Sequence, residues 1–422
     1  MNDDYEPHTR SERLAAQRNH THTAPKVKHP RQPRKRRVVR WLIAGLVFIG
    51  LIAAGFFAYA YHTTKEAVDR TYKPAKMTKA RDVAQVLKDG KPVSILLLGT
   101  DTGELGRNYK GRTDSIMLAT INPQKKQTTL VSIPRDTLVA PVGFENKFPA
   151  KLNSAYEDGS AATTIQTIQD WLNIPIDYYA LVNMGGLEKV VDRVGGVKVK
   201  SPLTFAYNPD TAHADPGNLY SFVEGSYRYT YTGEDGVTHA YSKMNGKAAL
   251  AFSRMRYDDP QGDYGRQARQ RLVLEAILNK VKSNPATLLS DKFLDVMSKS
   301  AQTDLQYGDL WTIAKNYGGA LGTIKTDHIQ GTSYNLTSGS TEVVTASEQQ
   351  RITNKIRSQL DLTKKDTGNL YGGEVSAAQI LQAGVPLPSE SSDIQTDGQF
   401  GAVVPGTVTE SNQVTSTTVP GY

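Results

Sequence analysis

The feature that most constrains this chain of 422 residues is an uncharged apolar run, Trp41–Tyr61. In a helix with a rise of 1.5 Å per residue, this run spans about 31 Å, close to the hydrocarbon thickness of a bilayer. The aromatic residues Trp41, Tyr59 and Tyr61 lie at its ends, as is typical of residues at membrane interfaces. The run therefore predicts one transmembrane helix. A cleaved signal peptide is the alternative, but the run is longer than the usual signal core of about 7–15 residues.

The net charge of +8 is concentrated in front of this run. Residues 1–40 contain 11 Lys and Arg against 4 Asp and Glu, which favours a cytoplasmic N-terminus. Residues 92–422 contain 31 Lys and Arg against 34 Asp and Glu. The folded part of the chain therefore lacks the basic excess typical of nucleic-acid binding, and we expect no nucleic-acid partner.

The absence of cysteine excludes thiol nucleophiles, disulfides, iron–sulfur clusters and Cys-based zinc sites. Four of the eight histidines fall within residues 1–40, and no H-E-x-x-H motif occurs, so a multi-histidine metal site is disfavoured. The sequence also lacks G-x-S-x-G, P-loop and G-x-G-x-x-G motifs. The common esterase, P-loop and Rossmann classes lose support.

Composition divides the chain into five parts. We expect a disordered basic cytoplasmic leader (1–40), a transmembrane anchor (41–61), a juxtamembrane stalk (62–91), an extracellular folded domain (92–360) and a C-terminal extension (361–422). The extension is rich in Ser, Thr, Pro and Gly from about residue 386, which indicates that it is largely disordered from there.

The folded domain begins with three short strands. Ser94–Leu98 is a continuous apolar run, typical of a buried strand, and Ser115–Ile121 and Gln127–Ile133 follow it. The short turn between the last two predicts that they are antiparallel. Strands then alternate with helices, which predicts the α/β class: a layered α/β/α domain with a central mixed sheet flanked by helices. Residues 205–240, rich in Gly, Tyr, Asp and Thr, indicate a long surface excursion.

Charged residues lie at the ends of the three strands. Asp101 follows the first strand, and Arg112 and Asp114 precede the second. Arg135 and Asp136 follow the third. If the strands run up, down and up, all five residues converge on one edge of the sheet, where ligand sites of α/β domains usually form.

A further basic cluster lies downstream. Arg254 and Arg256 are two residues apart, so in an extended stretch they point the same way. Asp263 is placed to cap a helix whose first turn holds Arg266, and a helix N-terminus offers N–H groups to an anion. Gln270, four residues after Arg266, shares its helix face.

Arginine binds phosphate oxygens in a bidentate manner, and Mg²⁺ prefers one or two carboxylates together with substrate oxygens. Aspartates beside several arginines therefore indicate a divalent metal, Mg²⁺ or Mn²⁺, with a phosphate ligand. Each pair alone has a simpler interpretation: Arg135 and Asp136 as a strand-end ion pair, Asp263 as a helix cap, Lys151 as a solvated charge. The convergence of the clusters favours an anion site.

At these residues the chain resembles the LytR–CpsA–Psr family of membrane-anchored cell-wall enzymes. The resemblance extends from about Val93 to Lys282, with several motifs in the same order and spacing. The motifs are LLLGTD (Leu96–Asp101), GRTDSIML (Gly111–Leu118), SIPRD (Ser132–Asp136), KLNSAY (Lys151–Tyr156), GGV (Gly195–Val197), NGKAALAFSRMR (Asn245–Arg256) and GDYGRQARQ (Gly262–Gln270).

The resemblance implies a phosphotransferase that moves a glycopolymer, such as teichoic acid or capsular polysaccharide, from a polyprenyl-pyrophosphate carrier to peptidoglycan. It places the metal on Asp101 and Asp114. By the same resemblance we expect Arg112, Asp114, Arg135, Arg254, Arg256 and Asp263 to act in catalysis, and Arg112, Arg135, Lys151, Arg254, Arg256, Arg266 and Gln270 to bind substrate.

In the resulting hypothesis, a peptidoglycan hydroxyl attacks the glycan-side phosphorus and polyprenyl phosphate leaves. Either Asp114 or Asp263 accepts the hydroxyl proton. A polyprenyl-pyrophosphate pyrophosphatase and a non-catalytic receptor for the lipid carrier are the alternatives. The partners expected are the lipid-linked glycan, peptidoglycan and the lipid bilayer.

Overall fold

The computed structural model describes residues 65–66, 69–100, 111–283 and 299–385. The strands are β1 (Val93–Thr100), β2 (Thr113–Asn122), β3 (Gln127–Ile133), β4 (Leu138–Val139), β5 (Ala150–Lys151), β6 (Tyr178–Asn183), β7 (Phe205–Tyr207), β8 (Leu219–Phe222), β9 (Tyr229–Thr232), β10 (Thr238–Tyr241), β11 (Ala301–Thr303), β12 (Thr323–His328), β13 (Thr332–Leu336) and β14 (Gly339–Val343). The helices are α1 (Val83–Lys88), α2 (Ser154–Gly159), α3 (Ala161–Leu172), α4 (Met184–Arg193), α5 (Gly246–Arg254), α6 (Asp263–Ser283), α7 (Tyr307–Asn316), α8 (Ala346–Gln359) and α9 (Ala377–Gln382).

A six-stranded mixed sheet, in the order β11–β6–β1–β2–β3–β12, forms the centre of the fold. β2 is antiparallel to both β1 and β3, as the short turn predicts. β6 and β12 are parallel to their neighbours β1 and β3, and β11 is antiparallel to β6. Consequently β1, β3 and β6 end, and β2 begins, at the same edge, which we call the upper edge.

The side chains of β1 alternate between two covered faces. Leu96 and Leu98 belong to a buried cluster that includes residues of α3 and α8. Val93 and Ile95 belong to a separate buried cluster with residues of α1 and α7. Each buried leucine contributes roughly 1.5–3 kcal/mol relative to an exposed one. The helices on both faces confirm the α/β class with a central mixed sheet.

Residues 205–241 form a second, four-stranded antiparallel sheet in the order β10–β9–β8–β7, where the sequence predicted a surface excursion. One face is buried against α5: the ring of Phe222 lies 5.1 Å from that of Phe252, edge to face, and Phe205 lies 5.8 Å from Phe252. Residues of α4 and α6 complete this cluster. Val197, which precedes this sheet, forms a single antiparallel bridge with Met244.

The segments on either side of the central domain also pack onto it where they are described. Tyr72 bridges to Thr303 of β11, and Arg81 forms an ion pair of 2.5 Å with the buried carboxylate of Asp177. At the other end, the backbone N–H of Gly373 donates to the carbonyl of Ala140 at 2.9 Å. Part of the predicted stalk and residues 361–385 therefore contact the central fold.

The predicted leader, the transmembrane run and the tail from residue 386 lie outside the described residues. Among the helices that are described, none has both the length and the apolar character needed to span a bilayer.

Candidate functional site: an arginine–carboxylate cluster at the upper edge

Charged side chains from four segments meet at the upper edge. The Arg135 guanidinium donates to the Asp114 carboxylate at 2.7 Å, and its Nε lies 3.4 Å from Asp136 and 3.7 Å from Asp263. Asp263 also pairs with Arg266 at 2.5 Å. These five residues, with Lys151, are called the upper-edge cluster. The structure thus brings Asp114, Arg135 and Asp136 together as the strand directions predict.

The fold positions the cluster through short connections. Asp114 is the second residue of β2, and Arg135 lies two residues beyond the end of β3. Asp263 is the first residue of α6, which packs against β3. Arg135 is fixed by its carbonyl, which accepts from the backbone N–H of Asn153 at 3.0 Å, while the Asn153 carbonyl accepts from Thr113 at 3.3 Å.

Lys151 joins the cluster through the small sheet formed by β4 and β5. It is the last residue of β5 and pairs with Leu138 of β4, just after the third strand of the central sheet. Its Nζ lies 3.0 Å from the Asp136 carboxylate. Both side chains are mostly buried, so Lys151 is a member of the site and not a solvated surface charge.

Arg266 is buried, with 7% of its surface exposed. One guanidinium nitrogen contacts Asp263 and lies 3.3 Å from the Asp114 carbonyl. Its Nε has no hydrogen-bond acceptor among the described residues. Burial lowers the pKa of Arg266; Asp263 opposes this effect, and the neighbouring cations Arg135 and Arg256 add to it. A buried cation with an unused donor and cationic neighbours is suited to receive an anion.

The pKa of Arg135 is shifted in the opposite direction from that of Arg266. Burial acts to lower its pKa, but the carboxylates of Asp114, Asp263 and Asp136 outweigh burial, and the pKa is raised. Its Nε is buried and, within the described chain, has no acceptor in hydrogen-bonding geometry. Arg135 is therefore held firmly charged while one of its donors is unused.

Arg256 lies close enough to Arg266 to lower the pKa of that residue. Arg254 is the last residue of α5, and the backbone turns to an extended conformation at Met255. The prediction that Arg254 and Arg256 share one extended stretch is therefore wrong, because helical packing of α5 continues through Arg254. On α6, the Oε1 atom of Gln270 is buried and has no donor among the described residues.

The predicted site residue Arg112 pairs outside the cluster. Arg112 is exposed and forms an ion pair of 2.9 Å with Glu157 of α2, although it precedes β2 at the same edge. Asp101 lies outside the described residues, directly after Thr100, which pairs with Thr113 across the sheet.

Arg269 was not among the predicted site residues. Its side chain is fully buried on α6, and its donors contact the Phe252 carbonyl at 2.9 Å, the Met255 carbonyl and the Asp259 carboxylate. These acceptors flank the segment that contains Arg254 and Arg256. Arg269 therefore holds that segment against α6. The available signal was a second arginine in the motif GDYGRQARQ, three residues after Arg266.

Gly265 makes room for this arrangement. A Cβ atom at Gly265 would overlap the Asp259 carboxylate, so only glycine lets the first turn of α6 approach Asp259 this closely. Since Asp259 is the ion-pair partner of Arg269, the glycine supports the clamp that Arg269 forms.

Of the predicted metal ligands Asp101 and Asp114, only Asp114 lies within the described residues. No group of three or more His, Cys, Asp and Glu among the described residues could hold a metal ion. Asp114 is a carboxylate of the upper-edge cluster, and one of its oxygens accepts from Arg135. Mg²⁺ prefers one or two carboxylates together with oxygens of the substrate. The Asp114 carboxylate is a donor of this kind, so it fits the predicted role.

The chain is similar to proteins of one known family. The model of the LytR_cpsA_psr family matches residues 56–359. The chain is 37% identical over 321 residues to the polyisoprenyl-teichoic acid–peptidoglycan teichoic acid transferase TagU of Enterococcus faecalis, covering 76% of this chain and 96% of the relative. It is also 37% identical to biofilm regulatory protein A of Streptococcus mutans, covering 79% and 82%.

Among solved structures, protein gbs0355 of Streptococcus agalactiae superposes with a TM-score of 0.57 at 33% identity, covering 70% of this chain and 95% of that one. The match to the family model covers more than half of the chain and includes every described residue of the upper-edge cluster. The chain therefore belongs to the LytR–CpsA–Psr family.

Proposed function

We propose that this protein transfers an anionic glycopolymer, of the teichoic acid or capsular polysaccharide type, from a polyprenyl-pyrophosphate carrier to a sugar hydroxyl of peptidoglycan. The observation that supports it most directly is the upper-edge cluster, where Arg135 and Arg266 each have a buried Nε that makes no hydrogen bond to the described residues. The name of the relative in Enterococcus faecalis describes the same type of transfer.

The cluster and the segment beside it supply the cations that a pyrophosphate requires. Arg135, Lys151 and Arg266 lie beside Asp114, Asp136 and Asp263, and Arg254 and Arg256 follow on the adjacent segment. The unused N–H donors of Arg135 and Arg266 face a polar, mostly buried site. There, charge-assisted hydrogen bonds to phosphate oxygens are stronger than they would be in water.

In the transfer, the acceptor oxygen forms a bond to the glycan-side phosphorus as the bond from that phosphorus to polyprenyl phosphate breaks. The proton of the attacking hydroxyl goes to a carboxylate of the cluster, Asp114 or Asp263. The arginines stabilise the charge that develops on the phosphate oxygens and on the leaving group. Asp263 also positions Arg266, which it contacts at 2.5 Å.

Asp101 and Asp114 are the proposed ligands of Mg²⁺ or Mn²⁺. When bound, the ion neutralises phosphate charge. Arg112 is proposed to reach the same phosphate once it separates from Glu157, a half-exposed pair whose rupture costs little, about 0–1 kcal/mol.

We also propose that the Trp41–Tyr61 segment anchors the protein in the cell membrane, with the N-terminus inside and residues 92–360 as the extracellular catalytic domain. The apolar run and the basic leader support this orientation. It places the site on the side of the membrane where peptidoglycan is found.

The test is reconstitution of the full-length protein with a lipid-linked teichoic acid donor and peptidoglycan. Arg256→Ala is expected to reduce attachment about 100-fold or more, since removing one donor to transition-state charge costs that much. Arg351→Ala on α8 is the matched control, because that arginine pairs with Asp327 and Glu348, which are not members of the upper-edge cluster. Wild-type transfer by the Arg256 variant contradicts the proposal.

The same experiment separates the alternatives. A pyrophosphatase releases free glycan phosphate whether or not peptidoglycan is present. A receptor binds the carrier without turnover. Only the transferase forms product whose yield depends on added peptidoglycan.

A further inference from the structure

Two exposed aromatic rings lie beside the segment that contains Arg256. Tyr257 follows Arg256 directly and is 66% exposed, and its ring lies 5.9 Å from the Arg256 guanidinium carbon. The exposed ring of His213 stacks on Tyr257, with centroids 5.3 Å apart and planes inclined by 26°. We call His213 and Tyr257 the aromatic platform.

The platform joins the second sheet to the upper-edge cluster. His213 lies in the loop between β7 and β8, whereas Tyr257 follows α5. Arg256 links the two regions, because it neighbours Tyr257 and also lies close enough to Arg266 to lower the pKa of that residue. A ligand in contact with Arg256 is therefore within reach of the platform.

The loop that presents His213 is fixed by buried contacts. The side chain of Asn208, 3% exposed, donates to the carbonyls of Asp215 and Pro216 at 3.3 and 3.2 Å. The backbone N–H of Asn208 donates to the His213 carbonyl at 2.7 Å. A buried amide thus defines the path of an exposed loop and holds His213 in place.

The exposure of the platform contrasts with the other aromatics of the second sheet. Phe205 and Phe222 are buried against α5, where their rings contribute to folding. His213 and Tyr257 contribute little buried area. A single exposed aromatic is ordinary in a soluble domain, but two stacked rings next to a cationic site match the usual composition of ligand sites, aromatic surfaces with a few polar groups.

We propose that the aromatic platform binds a pyranose ring of a substrate glycan, next to the phosphate held by Arg256. This inference rests on the proposed function and deepens it. A pyranose has an apolar C–H face and a rim of hydroxyls, so it stacks on an exposed ring while its hydroxyls remain in water or contact the neighbouring Arg256. The ring belongs either to the carrier-linked glycan or to the peptidoglycan acceptor, and the experiment distinguishes the two.

The test uses the full-length protein and steady-state transfer with each substrate varied in turn. Tyr257→Ala is expected to raise the KM for one glycan substrate about three- to tenfold, the effect of losing one stacking contact. His213→Ala raises the same KM by a smaller factor, and Tyr257→Phe retains the wild-type value because the ring remains. A rise for the donor assigns the platform to the carrier-linked glycan, and a rise for peptidoglycan assigns it to the acceptor.

Tyr227→Ala is the matched control. Tyr227 is 53% exposed in the turn between β8 and β9, at the opposite end of the second sheet from the His213 loop. The Tyr227→Ala variant should have the wild-type KM for both substrates. An unchanged KM for both substrates in Tyr257→Ala, or an equal effect of Tyr227→Ala, overturns the proposal.

A second measurement excludes an indirect effect through Arg256. Farnesyl pyrophosphate has no sugar, so its Kd should be the same for the wild type and Tyr257→Ala. Weaker binding of farnesyl pyrophosphate by Tyr257→Ala contradicts the proposal that the platform binds a sugar ring. If the wild type shows no transfer, the proposed function fails. The platform is then judged by NMR titration with N-acetylglucosamine–N-acetylmuramic acid oligosaccharides and with carrier-free glycopolymer fragments. Changes in the NMR chemical shifts of Tyr257 on addition of either glycan support the platform. If neither glycan changes them, the proposal is overturned.

Discussion

Two arginines three residues apart on α6 have opposite surroundings. Arg269 is fully buried, and its donors contact the Phe252 carbonyl, the Met255 carbonyl and the Asp259 carboxylate. Arg266 is almost as buried, but its Nε has no acceptor among the described residues. Burial lowers the pKa of both arginines; Asp263 and Asp114 oppose this effect at Arg266, and Asp259 opposes it at Arg269.

The difference separates a structural arginine from a ligand-binding one. The donors of Arg269 are used within the protein, where they fix the end of α5 and the Arg254–Arg256 segment. Arg266 has neighbouring cations and an unused donor, so its environment is completed by an anion from outside the protein. Helical spacing permits both roles on one helix because residues three apart differ in direction by about 60°.

The largest effect on the free energy of unfolding is expected for the structural arginine, Arg269. Arg269→Met should destabilise the fold by about 3–5 kcal/mol, because it leaves the buried Asp259 carboxylate without its partner. Urea unfolding measures this loss. Asp259→Asn combined with Arg269→Met should recover part of it, since the unpaired charge is then gone. If Arg269→Met lowers the free energy of unfolding by less than about 1 kcal/mol, the structural role of Arg269 is contradicted.

Arg266→Gln should have the converse result. Transfer is expected to fall about 100- to 1,000-fold, corresponding to about 2.7–4 kcal/mol of transition-state stabilisation. The free energy of unfolding should change by less than about 1 kcal/mol, because removing Arg266 also relieves its repulsion with Arg135 and Arg256. The informative contrast is transfer rate against unfolding free energy for the two variants. A stability loss as large as that of Arg269→Met contradicts the ligand-binding role.

Gly265→Ala tests the clamp without changing a charge. The new Cβ displaces the Asp259 carboxylate from Arg269, and overpacking of this kind costs about 1–3 kcal/mol. Gly308→Ala on α7 is the matched control: a Cβ there meets no atom within 4 Å, so the substitution should stabilise the helix by about 0.5–1 kcal/mol. Thermal unfolding distinguishes the two, and equal shifts in Tm would contradict the clamp.

Asp327 extends the comparison to a carboxylate whose partners lie within the protein. Burial acts to raise its pKa, but hydrogen bonds from Arg351 and Lys355 outweigh burial and lower it. Because the folded-state pKa lies below the unfolded value, this contribution to stability is present above about pH 4 and is lost as the pH falls toward the folded-state pKa. Asp327→Asn should have a lower free energy of unfolding at pH 7, and this free energy should fall less steeply as the pH is lowered. The transfer rate should not change. Urea unfolding between pH 7 and 3 measures the free energy; an unchanged acid slope contradicts the assignment.

Sequence patterns predicted the central strands and their directions well, because Ser94–Leu98 is mostly apolar and a short turn joins Ser115–Ile121 to Gln127–Ile133. The meeting of Asp114, Arg135 and Asp136 follows directly from those directions. The pairing of Arg112 with Glu157 depends on where α2 packs, which strand directions do not specify.

The second sheet was not predicted because its strands have only three or four residues and many glycines separate them. One usable signal was the alternation of Tyr229, Thr230, Tyr231 and Thr232, which is typical of a strand with one buried face. The role of Arg269 depends on tertiary contacts with α5. No local pattern distinguishes it from Arg266.

A crystal structure of the full chain with a prenyl pyrophosphate tests the central claim most directly. The account predicts phosphate oxygens within about 3 Å of the guanidinium groups of Arg135 and Arg266, including the Nε of Arg266, while the contacts of Arg269 stay unchanged. A pyrophosphate bound away from the upper-edge cluster, with Arg266 Nε still lacking an acceptor, would contradict it.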